Sequence, residues 1–146
     1  RILPVPMMNI INGGKHADSS LNIQEFMIMP VGAKSFHGCL EWCCNVYREL
    51  KNLLKKEGHI TSVGDEGGFA PKLRNDEEAL QYIVKAVELA GYRPGEDFRI
   101  AIDGACTEMY DEAVKQGKTG QYLFWKNGEL RSAEDMVSYW EELCNK

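Results

Sequence analysis

Only three stretches of this chain are both short enough and apolar enough to be core strands, and that number limits the fold more than any other feature. They are Ile2–Ile11, Ile23–Met29 and Phe98–Ile102. Three strands cannot close a barrel, which takes about eight. The first run stops at Asn12-Gly13-Gly14, a turn that calls for positive φ, and the second stops at Pro30. The two runs are close enough in sequence to pair as antiparallel neighbours.

Helical periodicity fills the space between and after these strands. From Ser35 to Glu57, Phe36, Cys39, Leu40, Cys43, Val46, Tyr47, Leu50, Leu53 and Leu54 recur at steps of three and four. They form one apolar stripe, with Glu41, Arg48, Glu49 and Lys51 outside it and Gly58 as the stop. A second helix is expected from the N-cap Asn75 to Gly91, with Asp76, Glu77 and Glu78 at the positive end of its dipole. Its buried face would be Leu80, Ile83, Val84 and Val87. A last helix starts at Ser132, with Asp135 completing a near capping box and Met136, Val137, Trp140 and Leu143 facing a core. The order is strand, strand, helix, helix, strand, helix, which points to an α/β layer or barrel architecture. With Arg1 first and a helix last, the chain is expected to be a piece of a longer protein.

Composition excludes several classes. Hydrophobic residues at 44% and charged residues at 27% are enough for a globular core. A net charge of −5 leaves no cationic excess for nucleic-acid phosphates. The longest charge-free stretch, Ile2–Gly14, contains two prolines and two glycines and cannot be a spanning helix. The opening RILPVP lacks the pattern of a signal peptide. Five cysteines without a paired framework suggest free thiols in a reducing compartment. Of these, Cys39 and Cys43 belong to a helix face. His37 lies near Cys39, but no further ligands at zinc spacing accompany them.

Four polar groups sit at or just beyond apolar elements. The loop Val63-Gly64-Asp65-Glu66-Gly67-Gly68-Phe69-Ala70-Pro71 flanks two acids with glycines. Its apolar Val63, Phe69 and Ala70 suggest that it packs back onto the body. Carboxylates held there are candidates for acid–base work, because burial and a neighbouring carboxylate raise a pKa. The plain alternative is a surface turn whose acids face water. Glu25 interrupts an apolar strand and is either on a solvated face or buried with a partner. Asp103 follows an apolar strand, where α/β enzymes place catalytic and metal-binding groups, or it caps the following turn. His16 follows Asn12-Gly13-Gly14-Lys15, as a site residue or as a surface histidine.

Four segments resemble one family in order and spacing. Leu3-Pro4-Val5-Pro6-Met7-Met8-Asn9-Ile10-Ile11-Asn12-Gly13-Gly14-Lys15-His16-Ala17 resembles the start of the barrel domain of enolase. So do Gln24-Glu25-Phe26-Met27-Ile28 and Gly64-Asp65-Glu66-Gly67-Gly68-Phe69-Ala70-Pro71. Ile102-Asp103-Gly104-Ala105-Cys106-Thr107-Glu108 resembles the family's metal-ligand segment. The resemblance covers essentially the whole chain.

It implies a partial enolase-type (β/α)8 barrel that begins ββαα and then settles into βα units. Residues 1–146 would be the first half of that barrel, with a preceding small α+β domain and the remaining strands outside this chain. The implied activity is that of a lyase, phosphopyruvate hydratase, which dehydrates 2-phosphoglycerate to phosphoenolpyruvate in glycolysis. By position, Glu66 resembles the general acid for the departing hydroxide, and Glu25 its partner in holding a proton and contacting substrate. His16 resembles a catalytic group near the phosphate and C3 end, and Gln24 a lesser substrate contact. Asp65 would mainly support the loop. Asp103 resembles one of three carboxylate ligands of Mg²⁺; the other two, the basic phosphate-binding residues and the general-base lysine lie outside this chain. The resemblance further implies a cytoplasmic homo-oligomer without membrane span or nucleic-acid partner. Alone, the chain is expected to be inactive, since one carboxylate does not hold Mg²⁺ tightly. The alternative is a non-catalytic half-barrel that serves as a binding or structural module.

Overall fold

Pro4 and Pro6 set where the first strand begins. A prolyl nitrogen has no hydrogen to give a ladder, and the strand β1 runs only over Met8–Asn12. The expected Ile2–Ile11 run is therefore shortened at its start; Leu3, Val5 and Met7 are exposed. The computed structural model describes residues 3–146, so Ile2 lies outside the described residues. These fall into two units, one ending at Asp103 and the other spanning Gly104–Lys146.

In the first unit, β1 pairs antiparallel with β2 (Glu25–Met29), and β2 pairs antiparallel with β3 (Arg99–Asp103). The order is β1-β2-β3. The β1–β2 pairing matches expectation. Two helices between β2 and β3 account for the second antiparallel pair: a single crossover helix would return the chain for a parallel strand, and a second helix reverses it once more. The last residues of β1 and β3 and the first of β2 consequently share one end of the sheet. There, Asn12 stands opposite Glu25 and Glu25 opposite Asp103. The sheet has three strands and does not close on itself.

Helix α1 spans Phe36–Lys56, and Ser35 accepts from the Gly38 amide as its N-cap. Helix α2 spans Asp76–Leu89, capped by Asn75. Both agree with the capping signals, because a cap replaces hydrogen bonds that the first turn lacks. On α1, Cys39, Cys43, Val46, Leu50, Leu53 and Leu54 are buried, whereas Phe36 and Leu40 near its start are exposed. On α2, Ile83 and Val87 are buried as expected. Leu80 and Val84 are only half-buried, because Ala79, Tyr82 and Ala86 take the inward positions. No helix among the described residues is long and apolar enough to cross a membrane.

Asp76 does more than start α2. It is 4% exposed, and its Oδ1 accepts from the amides of Asn22 (2.9 Å) and Ile23 (3.2 Å). Those bonds hold the segment that enters β2, where Leu21 and Ile23 are fully buried. A carboxylate at a helix N-terminus is stabilised there by the dipole.

The second unit contains two features that periodicity did not anticipate. Helix α3 spans Cys106–Lys115 and starts at Ala105, whose left-handed backbone (φ 45°, ψ 47°) provides no side-chain cap. A hairpin follows, β4 (Tyr122–Phe124) with β5 (Glu129–Arg131). Helix α4 then covers Ala133–Asn145 behind the Ser132–Asp135 capping box. Met109, Phe124 and Met136 form the core. Arg131 lies over the rings of Phe124 (4.4 Å) and Tyr139 (3.9 Å), a favourable cation–π geometry. Val137 is exposed, contrary to expectation, because the stripe that meets this core runs through Met136, Tyr139 and Trp140.

Asp76→Ala removes a carboxylate that accepts from two buried amides and should destabilise the protein by about 2 kcal/mol. Asp76→Asn retains one carbonyl oxygen and should recover part of that loss. Urea midpoints of the three proteins at constant slope measure both effects.

Candidate active site

The site begins with an irregularity in β1. Asn9 pairs with Met27 and Ile11 with Phe26, so Ile10 is one residue more than β2 matches. In a regular strand, residues three apart point to opposite faces. A bulge inserts one residue and changes that parity. Asn9 and Asn12 therefore converge on one atom: Asn9 Nδ2 donates to Glu66 Oε2 at 2.9 Å, and Asn12 Nδ2 donates to it at 3.4 Å.

Glu66 reaches them because its loop is tied to β1. Phe69 N donates to Ile10 O and Asn12 N donates to Phe69 O, each at 2.9 Å. Within the loop, Gly64 N donates to Gly68 O (2.8 Å), and Asp65 N donates to His16 O (3.1 Å). Phe69 and Ala70 are buried, as the apolar character of the loop suggested, while Val63 is exposed. Gly68 is required by close approach. A Cβ there would lie 2.6 Å from Asn12 Oδ1 and 2.9 Å from Ile11 N.

His16, Glu25 and Glu66 come together, each offering an atom within 4.8 Å of the others. His16 Nδ1 lies 3.0 Å from Glu66 Oε1 without the alignment of a hydrogen bond. Their side chains are 32% and 34% exposed, so the cluster is open to a ligand from solvent. Asp103 stands beside Glu25 on the same rung of the sheet. Gln24 faces Asp103, with Nε2 donating to Oδ2 at 3.4 Å. Asp65 contributes its backbone to the loop and keeps its side chain exposed.

The two glutamates are shifted in opposite directions. Hydrogen bonding to Glu66, then burial, then the charges of Glu66 and Asp103, push the Glu25 carboxyl up to about 7. Glu66 is held below the ordinary carboxylate range, first by Glu25 and then by His16 and Asn9. Such a pair titrates as a unit. The asparagines agree with an ionised Glu66: both turn their amide N–H toward it and leave buried Oδ1 atoms without a partner among the described residues. An ionised carboxylate is an acceptor only.

The oxygen of Asp103 suits a hard divalent cation. Its charge adds to that of the glutamates across the rung, which is the electrostatic setting a cation relieves.

Sequence reasoning did not find Asn9 and Asn12. Their signal was a bulge, which leaves no trace in local apolar patterning.

The fold and the site together define a segment of an α/β barrel that carries a cluster of carboxylates and an imidazole at its strand ends. Residues 1–146 match the family described as enolase, C-terminal TIM barrel domain, and the chain belongs to that family.

Because Glu25 binds its proton more tightly folded than unfolded, its contribution to stability is complete below the ordinary 4.5 and is lost as pH rises through about 7. Glu66 acts oppositely, and its contribution is lost only as pH falls through its depressed pKa. Glu25→Gln in metal-free buffer should therefore raise Tm relative to wild type at pH 8 and change it little at pH 5. The expected gain is roughly 2–4 °C, the shift about 1 kcal/mol produces in a domain of this size. Thermal melts across that pH range measure the difference.

Proposed function

We propose that these residues belong to an enzyme that dehydrates 2-phosphoglycerate to phosphoenolpyruvate, and that they supply the acid side of its site. The observation that carries the reading is the convergence of His16, Glu25 and Glu66 within 4.8 Å of one another, with Asp103 on the rung beside Glu25. Loss of the C2 proton from such a substrate leaves a dianionic carboxylate. Departure of the C3 hydroxide is then the step that needs a proton.

Glu66 delivers that proton to the C3 oxygen, which leaves as water. Glu25 is the reservoir: pushed up to about 7, it carries a proton in a large share of molecules at neutral pH while Glu66 is ionised, and a short transfer across the pair arms Glu66. His16, on the other side of Glu66, orients the phosphate and C3 end. Gln24 holds Asp103 in place and touches substrate at most at its edge.

Asp103 would hold Mg²⁺ with one carboxylate oxygen, and the bound ion supplies the positive charge that stabilises the dianion. The remaining metal ligands, the base that takes the C2 proton and the basic phosphate-binding groups come from outside these residues. On this reading the chain is the first half of the barrel domain of a cytoplasmic, homo-oligomeric glycolytic lyase.

The test uses the gene product that contains these residues. Glu66→Gln should lower kcat for dehydration by about 10²–10⁴-fold with little change in KM. Exchange of the C2 proton of 2-phosphoglycerate with deuterated solvent should persist, because the base is untouched. Loss of that exchange together with dehydration would remove Glu66 from the acid role, and unaltered dehydration would remove it from the mechanism.

A further inference from the structure

Tyr47 lies on α1, outside the cluster just described, yet it holds the loop at two points on either side of Gly68. Its Oη donates to the carbonyl of Gly67 at 2.8 Å, one residue past Glu66. Its ring stacks on Phe69, with centroids 4.4 Å apart and planes 16° from parallel. Phe69 is 1% exposed and is the residue that joins the loop to β1.

We infer that Tyr47 is a positioning residue for the proton-sharing pair, setting where the Glu66 carboxylate stands relative to Glu25 and His16. The inference rests on the acid role proposed for Glu66 and extends it to a residue that does not touch the reacting atoms.

The physical need is local. Gly67 adopts φ +84°, and Gly68 follows it directly. Two adjacent glycines have wide backbone freedom. Left to itself, such a loop would spread the preceding carboxylate over many positions. The Asn9 and Asn12 amides and His16 approach Glu66 from the sheet side. A constraint on the backbone itself comes from α1, whose long helix is set by the buried Val46 and Leu50 that flank Tyr47. Burial raises the Tyr47 phenol above its ordinary pKa, so it remains a donor throughout the range in which the glutamates exchange their proton.

Tyr47→Phe separates the two contacts, because it retains the ring and removes the hydroxyl. Hydrogen–deuterium exchange of the 64–69 amides should rise about 2- to 10-fold, the range that one net hydrogen bond supports. Dehydration kcat should fall by a similar factor with KM unchanged, while C2-proton exchange of 2-phosphoglycerate stays at the wild-type rate. A residue that merely supported the fold would lower both rates together. Tyr47→Leu, which loses ring and hydroxyl, should exceed Tyr47→Phe in loop exchange and in kcat loss. Loop exchange unchanged in Tyr47→Phe overturns the inference, as does faster loop exchange with kcat intact. Absence of dehydration by the wild-type protein would count against the proposed reaction instead. The substrate-free exchange measurement would still decide whether Tyr47 clamps the loop.

Discussion

Two backbone hydrogen bonds between Phe69 and β1 determine where the rest of the site stands. They bring a loop from between α1 and α2 against a strand nearly sixty residues earlier, and so set Glu66 among the groups that β1 and β2 carry. The bonds are ordinary in strength, each contributing about 1 kcal/mol net. Their effect is large because Phe69 is buried, so releasing the loop would also expose an aromatic ring. Gly64 and Gly68 permit the approach, and the carbonyl of His16 closes it from the opposite side. Position is thus imposed on Glu66 by backbone and apolar contacts, while its protonation is imposed by polar ones.

The division between Glu25 and Glu66 shows how two identical side chains acquire different states. Glu25 sits within a strand, against Glu66 and partly buried, with a further carboxylate on its rung, and its carboxyl is pushed up to about 7. Glu66 sits on a loop among amide donors and an imidazole and is held below the ordinary carboxylate range. Neither residue needs a special chemistry of its own; the contrast arises from their surroundings. The two carboxyls act first on each other; the strand then adds burial and Asp103 on the side of Glu25, and the loop adds His16 and Asn9 on the side of Glu66.

Much of this was legible in the sequence, and the unread parts share a cause. The ends of α1 and α2 were legible because Ser35 and Asn75 are caps whose side chains bond within the next turn. His16, Glu25, Glu66 and Asp103 were legible as polar residues at the ends of apolar runs, and the structure brings three of them into one cluster with Asp103 alongside. Helix α3 was not legible, because Ala105 offers no cap. The β4–β5 hairpin has three-residue strands, too short to show alternation. Asn9 and Asn12 could not be read as a pair, since their common direction depends on an extra residue between them. Tyr47 read as part of an apolar stripe; its hydroxyl found a partner that only the tertiary fold supplies.

The bulge at Ile10 also has a bearing on how this segment can change over time. Side-chain replacement at Ile10 alters packing but keeps the count of residues between Asn9 and Asn12. Closing the bulge at unchanged length would pair Ile10 with Met27 and Asn9 with Ile28, and would turn Asn9 to the far side of the sheet. Deleting Ile10 instead would leave Asn9 and Asn12 two apart on one face, closer together along the strand. In this stretch the pairing with β2 carries information that the identity of residue 10 does not.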